Sequence, residues 1–399
     1  MSRFKATALS AALAMGVALL AAPAAHAGAG YFTSQDLTSS IGAPVGLGQP
    51  VGWSTPWDLQ RHFAYVPDAG SGRIIVASSA PGGAWSWTTA VDHGAYPGFL
   101  SAYSYSWDHS SHILYTDGTN HHLMEVWSSQ DSPAWQTVDL TVADNGPLAS
   151  MDPHGYEQNG EQHVVFEGAE NRGNLWEAVF APGTGWRFTA LTALTGIRTK
   201  PTLGWALTAT SVGDDGEVIG YLGTDGYPHV LAGERGRWAD QRVGTPAHDT
   251  YYNLNSMAFQ RDGHVARYAL RYLGVDDDVH EAAWDSSGGW TDTNVTAVTG
   301  SRGIATPNLA NDSYLWNADG SEHMFAADRN TLAVHEFVRT RDGRWFFWTD
   351  TGPVHNDLGW VAGFAAPDDT VHGTETEFYL YYDDNKHVVI SDLTVPYQA

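Results

Sequence analysis

The chain has 399 residues, with 45 Asp and Glu against 20 Lys and Arg, a formal net charge of −25 and no cysteine. This negative charge argues against nucleic acid and anionic membranes as partners, because both would repel the protein. The lack of cysteine excludes disulfides and thiolate chemistry, so burial of apolar surface must hold the fold together.

The first 27 residues have the features of a secretory signal peptide. Arg3 and Lys5 form a basic segment, an apolar run extends from Ala8 to Ala22, and Ala25-His26-Ala27 is typical of a cleavage site. The run is too short and too rich in alanine for a membrane anchor. The sequence therefore predicts a protein that is secreted to the outside of the cell, with residues 28–399 forming one domain.

Tryptophan recurs about every 50 residues, each time after a turn. The spacings are 50, 51, 52, 52 and 55 residues, for Trp85, Trp135, Trp186, Trp238, Trp290 and Trp345. A period this regular predicts a repeat architecture. A large aromatic side chain at one position of every repeat is expected to pack between adjacent sheets.

Each repeat has the pattern of four short antiparallel strands. The tryptophan opens a segment in which apolar and polar residues alternate, as in Trp186–Thr192, and this alternation is typical of a strand. Two strands joined by a tight turn, such as Asp117-Gly118, precede it. A further strand comes earlier, as in Ala102–Ser106. Four antiparallel strands per repeat are typical of a propeller blade.

The last repeat is incomplete at its end. Six repeats end at the six tryptophans, and a seventh begins near Leu358 but lacks the final strand. The segment Tyr31–Thr38 has the missing pattern, with Tyr31 in the place of the tryptophan. Pairing this segment with the last repeat would remove two exposed sheet edges. The sequence thus predicts an all-β, seven-bladed β-propeller, closed by the N-terminal strand completing the last blade.

The familiar catalytic motifs are missing from the sequence. It contains no Gly-x-Ser-x-Gly, no His-Glu-x-x-His and no phosphate-binding glycine loop. Carboxylates are abundant, but no glycosidase-like pair is singled out. We therefore predict no cofactor and no metal ion, and we assign no catalytic residue.

Histidine and glutamate recur at matching positions of the second and third strands. The pairs are His112 and Glu125, His163 and Glu177, His264 and Glu281, and His323 and Glu336. A hairpin would bring the two members of each pair close together. A carboxylate that accepts from sugar hydroxyls, an imidazole that donates and an aromatic ring are typical of a shallow saccharide pocket. The alternative is that each pair forms hydrogen bonds that hold the blade together.

The repeats resemble those of the fucose-specific lectin-like β-propellers. The resemblance rests on units such as His163–Gly168, Asn174–Glu177 and Gly185-Trp186, and it extends over nearly the whole mature chain. It implies that sugar binds between adjacent blades, held by an arginine, a glutamate and an aromatic residue. The family's glutamate position corresponds to Glu125, Glu177, Glu281 and Glu336. The four paired histidines stand at the family's arginine position.

The leading functional prediction is a secreted, carbohydrate-binding protein with several weak saccharide sites between blades and glycans or polysaccharides as partners. An extracellular carbohydrate-active enzyme, either a glycoside hydrolase or a polysaccharide lyase, is the alternative. Its single site would lie at one mouth of the central channel, near polar and aromatic residues of the first strands. These are Trp57, Tyr103, His154, Tyr252, Asn253, Asn308 and Asp312. A protein-interaction platform is a third possibility.

Overall fold

A computed structural model describes residues 33–48, 50–67, 72–150, 153–169, 173–197, 207–212, 216–234, 237–248, 254–261, 264–285, 289–301, 309–316, 321–327, 334–349, 362–369, 374–382 and 386–396. The predicted signal peptide and Tyr31 lie outside these residues. Phe32–Ala399 forms one compact unit by its internal contacts. Within the part of the chain that is described, no helix is long and apolar enough to cross a membrane.

The described strands form seven four-stranded antiparallel sheets. The first strand of the chain is β1 (Thr33–Asp36). Sheet 1 contains β2 (Val51–Ser54), β3 (Arg61–Tyr65), β4 (Ile74–Ser79) and β5 (Ser86–Val91). Sheet 2 contains β6 (Ala95–Tyr105), β7 (Ser110–Asp117), β8 (Leu123–Ser129) and β9 (Gln136–Asp139). Sheet 3 contains β10 (His154–Gln158), β11 (Glu161–Glu167), β12 (Leu175–Ala181) and β13 (Gly185–Ala190).

The remaining sheets follow the same plan. Sheet 4 contains β14 (Leu207–Val212), β15 (Gly216–Leu222), β16 (Pro228–Glu234) and β17 (Arg237–Arg242). Sheet 5 contains β18 (Leu254–Arg261), β19 (His264–Leu273), β20 (Val279–Asp285) and β21 (Gly289–Asn294). Sheet 6 contains β22 (Leu309–Trp316), β23 (Ser321–Ala327), β24 (Val334–Arg339) and β25 (Trp345–Thr349). Sheet 7 contains β26 (Ala362–Asp369), β27 (Thr374–Tyr382), β28 (Val388–Pro396) and β1.

The first strand of each sheet contacts the first strand of the next sheet. These contacts run from β2 to β6, β10, β14, β18, β22 and β26, and β26 in turn contacts β2. Sheets packed face to face around such a cycle define a β-propeller. The predicted all-β β-propeller fold is therefore confirmed.

Strand β1 is the outermost strand of sheet 7. It pairs antiparallel with β28, from Thr33 opposite Asp392 to Asp36 opposite Val389. The Asp36 carboxylate also lies 3.0 Å from Nδ1 of His387. The earliest described strand is thus hydrogen-bonded to the latest one.

The repeated tryptophans pack between neighbouring sheets. Trp135 belongs to the apolar cluster that sheets 1 and 2 share, and Trp290 belongs to the one that sheets 4 and 5 share. Trp85, Trp186, Trp238 and Trp345 occupy the same place against the preceding sheet. The predicted structural role of these tryptophans is confirmed.

Several outermost strands end in the same motif, which is Asp or Asn, then Leu or Val, then Thr. Four short helices follow outermost strands: α1 (Leu37–Ile41), α2 (Leu140–Ala143), α3 (Leu191–Thr195) and α4 (Val295–Thr299). The side chains of Asp36, Asp139 and Asn294 cap three of these helices by accepting from backbone N–H groups. A threonine two residues after the cap position accepts the N–H that begins the sheet's third strand, as Thr141 does from Leu123 at 2.9 Å. The motif therefore fastens the outer helix to its sheet.

Candidate functional site

Three of the four predicted His–Glu pairs are hydrogen-bonded. His112 Nδ1 lies 2.7 Å from Glu125 Oε1, and His163 Nδ1 lies 2.8 Å from Glu177 Oε1. His323 bonds Glu336 in the same way. The predicted proximity is therefore confirmed for these pairs. All six residues are buried, at 8% exposure or less, so the protein itself supplies much of their surroundings. Their predicted role in ligand binding stays a prediction.

An aromatic side chain from the first strand stacks on the histidine of the second strand. The stacked rings, with their centroid separations, are Trp53 and His62 (4.9 Å), Tyr103 and His112 (5.0 Å), and Tyr156 and His163 (5.2 Å). The polar end of each aromatic residue reaches the next sheet. Tyr103 donates to Gln162 Oε1 at 2.8 Å, and Tyr156 donates to Glu217 Oε2 at 2.6 Å. Each unit therefore links two neighbouring sheets.

A second carboxylate distinguishes the junction of sheets 3 and 4. Glu217 from β15 lies beside Glu177, and the two side chains are hydrogen-bonded to each other. Two carboxyl groups can share a hydrogen bond only if one carries the proton. Burial, followed by the charge of Glu177, raises the pKa of Glu217 to about 8. Burial also raises the pKa of Glu177 and lowers that of His163.

The predicted pairing of His264 with Glu281 is wrong. The register places His264 opposite Arg261 at the start of β19, whereas Glu281 stands opposite Arg271, seven residues farther along the strand. At 3.3 Å per residue this is a backbone separation of about 23 Å. The His264 side chain is outside the described residues. By register Ala269 stands at the position that His163 holds in sheet 3, and the guanidinium of Arg267, two residues earlier, donates to Glu281.

The sequence pattern did not predict the contact of Arg267 with Glu281. Arg267 precedes Glu281 by 14 residues, and His163 precedes Glu177 by the same 14. The pair His264 and Glu281 is 17 residues apart. The equal spacing does not mean an equal position, because the loop from Leu273 to Val279 in sheet 5 is two residues shorter than the loop from Glu167 to Leu175 in sheet 3.

Arg267 is part of a buried ionic network between sheets 5 and 6. Arg271 donates to Glu281 Oε2 at 3.0 Å and to Glu322 Oε2 at 2.8 Å. Arg267 also donates to Glu322, and Arg339 donates to Glu322 Oε1 at 2.9 Å. Three guanidinium groups thus face two carboxylates. This arrangement holds the side chains in place and leaves an excess of positive charge.

A cavity of about 540 Å³ opens beside this network. Arg267 and Glu281 form part of its wall from sheet 5, and Arg339, Trp345 and Phe346 form part of it from sheet 6. The volume is within the range of small-molecule sites. Guanidinium donors, a carboxylate acceptor and aromatic rings here converge on one space. Such a wall can bind a polar ligand with hydroxyl groups on one face and C–H groups on another.

The residues that were expected to line a central channel give a mixed outcome. Tyr103 is buried, with its hydroxyl near both Glu125 and Gln162. Trp57 stacks on His109 at a centroid distance of 5.2 Å. Tyr252, Asn253 and Asn308 lie outside the described residues, as does the side chain of Asp312. The alternative of a channel enzyme stays a prediction.

Comparisons with known proteins support the fold. No protein-family model matches the chain, and no curated protein matches its sequence. AofleA from Arthrobotrys oligospora has a similar structure, with a TM-score of 0.57 and 14% identity over 80% of this chain and 90% of that one. The Aleuria aurantia lectin in complex with Fucα1-6GlcNAc gives 0.55 and 12% over 79% and 98% of the two chains. Another structure of a fungal lectin, described as a six-bladed β-propeller with a novel fucose recognition mode for the Aleuria aurantia lectin, gives 0.53 and 14% over 78% and 95%.

The predicted resemblance to fucose-lectin propellers is confirmed by this structural similarity. At 12–14% identity the similarity concerns the fold. The number of sheets differs, because that lectin is described as six-bladed, whereas the described residues of this chain form seven sheets.

Proposed function

We propose that the protein is a secreted carbohydrate-binding propeller, and that a saccharide binds in the cavity between sheets 5 and 6. The seven sheets act as the blades of one ring, with β1 completing the last blade. The observation that carries the proposal is the convergence of Arg267, Glu281 and Trp345 on one cavity.

The chemistry of the cavity fits a sugar better than an apolar ligand. The Arg339 side chain is 23% exposed, so it can still donate to ring or hydroxyl oxygens. Trp345 offers an aromatic face to the C–H side of a pyranose. Glu281 is held by Arg267 and Arg271, which fixes its position before any ligand arrives. Preorganised polar groups reduce the entropy lost on binding.

The other junctions differ in the residue that faces the glutamate. Sheets 2 and 3 have histidine there instead of arginine, as His112 beside Glu125 and His163 beside Glu177 show. We propose that any sites at these junctions are weaker than the one at sheets 5 and 6. Several weak sites on one ring would still give avidity for a multivalent glycan.

Titration calorimetry with the sugars found on a glycan array tests this proposal. We expect binding by the wild type and at least a tenfold loss in the Arg339→Gln and Trp345→Leu variants. Arg242→Gln and Trp290→Leu are the matched controls, because Arg242 and Trp290 lie outside the cavity lining. The proposal is wrong if no sugar binds at millimolar concentration, or if the controls lose as much affinity as the cavity variants.

The proposed export rests on the basic and apolar segments of residues 1–27. N-terminal sequencing of protein recovered from culture medium is expected to begin at Gly28. Retention of the uncleaved chain inside the cell would contradict this proposal.

A further inference from the structure

The junction of sheets 3 and 4 brings three ligand-type side chains to one point. The ligand atoms of His163, Glu177 and Glu217 all lie within 4.8 Å of one another. Two of these residues come from sheet 3 and the third comes from sheet 4. Their side chains are 11%, 9% and 16% exposed, so the cluster is enclosed but is reached by solvent.

This cluster has an excess of negative charge, whereas the junction of sheets 5 and 6 has an excess of positive charge. Between sheets 5 and 6, three arginines face two glutamates. Between sheets 3 and 4, Glu177 and Glu217 face one histidine. The guanidinium of Arg187 lies 3.7 Å from the carboxylate of Glu161, and so pairs with that residue instead. Two carboxylates in a buried place must be neutralised by a proton or by a cation.

We propose that His163, Glu177 and Glu217 bind one divalent cation, preferentially Zn²⁺, which links sheet 3 to sheet 4. Imidazole nitrogen and carboxylate oxygen are zinc ligands with bond lengths of about 2.0–2.2 Å, which in a tetrahedral site separates the ligand atoms by about 3.3–3.6 Å. Here Nδ1 of His163 lies 2.8 Å from Glu177 Oε1 and 3.8 Å from Glu217 Oε2. Side-chain shifts of about 0.5 Å would satisfy both zinc distances.

The surroundings orient the three ligands. The Tyr156 ring stacks on His163 at 14° to its plane, and the Tyr156 hydroxyl donates to Glu217 at 2.6 Å. Glu161 Oε2 lies 4.0 Å from Nε2 of His163, on the side opposite to the ligating nitrogen. A carboxylate near the free N–H of a ligating imidazole, and a hydrogen bond to a ligating carboxylate, are the usual outer partners of a zinc site. A water molecule would complete the coordination.

The junction of sheets 2 and 3 is an internal control for this inference. It has the same arrangement of Tyr103, His112 and Glu125, but Gln162 stands in the place of Glu217. A neutral amide is a poor zinc ligand beside a carboxylate. Nε2 of His112 is bonded to Ser110 at 2.6 Å, so Nδ1 is the nitrogen that faces Glu125, as in His163. Only the junction of sheets 3 and 4 therefore offers three ligands of this kind among the described residues.

Zinc titration of the chelator-treated full chain, followed by calorimetry and by the visible spectrum of a Co²⁺ substitute, tests the proposal. We expect one tight site in the wild type, with Mg²⁺ and Ca²⁺ binding far more weakly. Glu217→Gln is expected to lose at least 100-fold in zinc affinity. This variant has the composition of the natural junction of sheets 2 and 3, so it should fold, and circular dichroism checks this. Gln162→Glu is expected to add a second zinc equivalent.

Two results would overturn the proposal. One is a wild-type protein without tight zinc binding, which would mean that the two carboxylates share only a proton. The other is equal binding by wild type and Glu217→Gln, which would place the zinc on other histidines. If Glu217→Gln fails to fold, Gln162→Glu is the deciding variant, because failure to bind a second zinc equivalent would contradict the geometry. Sugar binding at sheets 5 and 6 should be the same in both variants, so the two proposals fail separately.

Discussion

Acid should destabilise this protein through His62 in sheet 1. Burial, opposed by the nearby Asp58 carboxylate, lowers the pKa of His62 from 6.5 to about 4. The imidazole stacks on Trp53, its Nδ1 lies 2.8 Å from the Ser78 hydroxyl, and its Nε2 has no hydrogen-bond partner among the described residues. A protonated ring would leave a charged N–H without an acceptor.

The sign and the size of the effect follow from this pKa. Below pH 6.5 the unfolded chain takes up a proton at His62, whereas the folded protein does so only near pH 4. The stabilising contribution of neutral His62 is therefore complete above pH 6.5 and is lost as the pH falls from 6.5 towards 4. Between pH 7.5 and 4.5 the loss in the free energy of unfolding is about 2.5 kcal/mol.

Urea denaturation from pH 7.5 to 4.5, compared between wild type and His62→Asn, measures this contribution. Asn keeps a polar group near Ser78 but does not titrate. The variant is expected to be less stable at pH 7.5, because the stack with Trp53 is lost, but to lose about 2.5 kcal/mol less on acidification. His93→Asn, at an exposed histidine, controls for the loss of a histidine as such. Equal pH dependence in wild type and His62→Asn would refute the reasoning.

Three further substitutions probe the junctions and the outer helices by their free energy of unfolding in urea. Glu322→Gln leaves three guanidinium groups, of which those of Arg267 and Arg271 are buried, with one carboxylate and should cost about 3–5 kcal/mol; a cost below about 1 kcal/mol would mean that water replaces it. Gly155→Ala would place a methyl group in collision with the Tyr103 ring and should cost about 1–3 kcal/mol, and a neutral effect would show that the ring can move. Asp139→Ala removes the cap on the Val142 N–H and should cost about 1 kcal/mol; no change in stability would contradict the capping role.

The sequence was informative where a feature recurs at the same place in successive repeats. The tryptophan period predicted the repeated sheets because each ring fills the same gap against the preceding sheet. The spacing of 13 or 14 residues between histidine and glutamate predicted their contact because both lie on one short hairpin. The same rule failed at His264, because the register of β19 and β20 places Ala269 at the equivalent position, and Arg267 and Arg271 bind Glu281 instead.

The polar contacts between neighbouring sheets were not predictable from the sequence pattern. Gln162 and Glu217 are each the second residue of their strands, β11 and β15, and each side chain meets a tyrosine from the previous sheet. Their partners are 59 and 61 residues away. Such a contact depends on how neighbouring sheets are rotated about the ring, which the alternation of apolar and polar residues does not encode.

The pairing of β1 with β28 has a consequence for the order of folding. Asp36 and His387 are 351 residues apart in the chain, whereas every other strand pair among the described sheets joins segments close in sequence. The entropy lost on closing a loop grows with its length, so we expect this pairing to form after the other sheets. Until then the outer edge of β28 has no strand paired with it. During synthesis β1 is made first, so it stays unpaired until β28 has also been made. We therefore expect the pairing of β1 with β28 to be the last step of folding. Until it forms, the unpaired edge of β28 can pair with another chain.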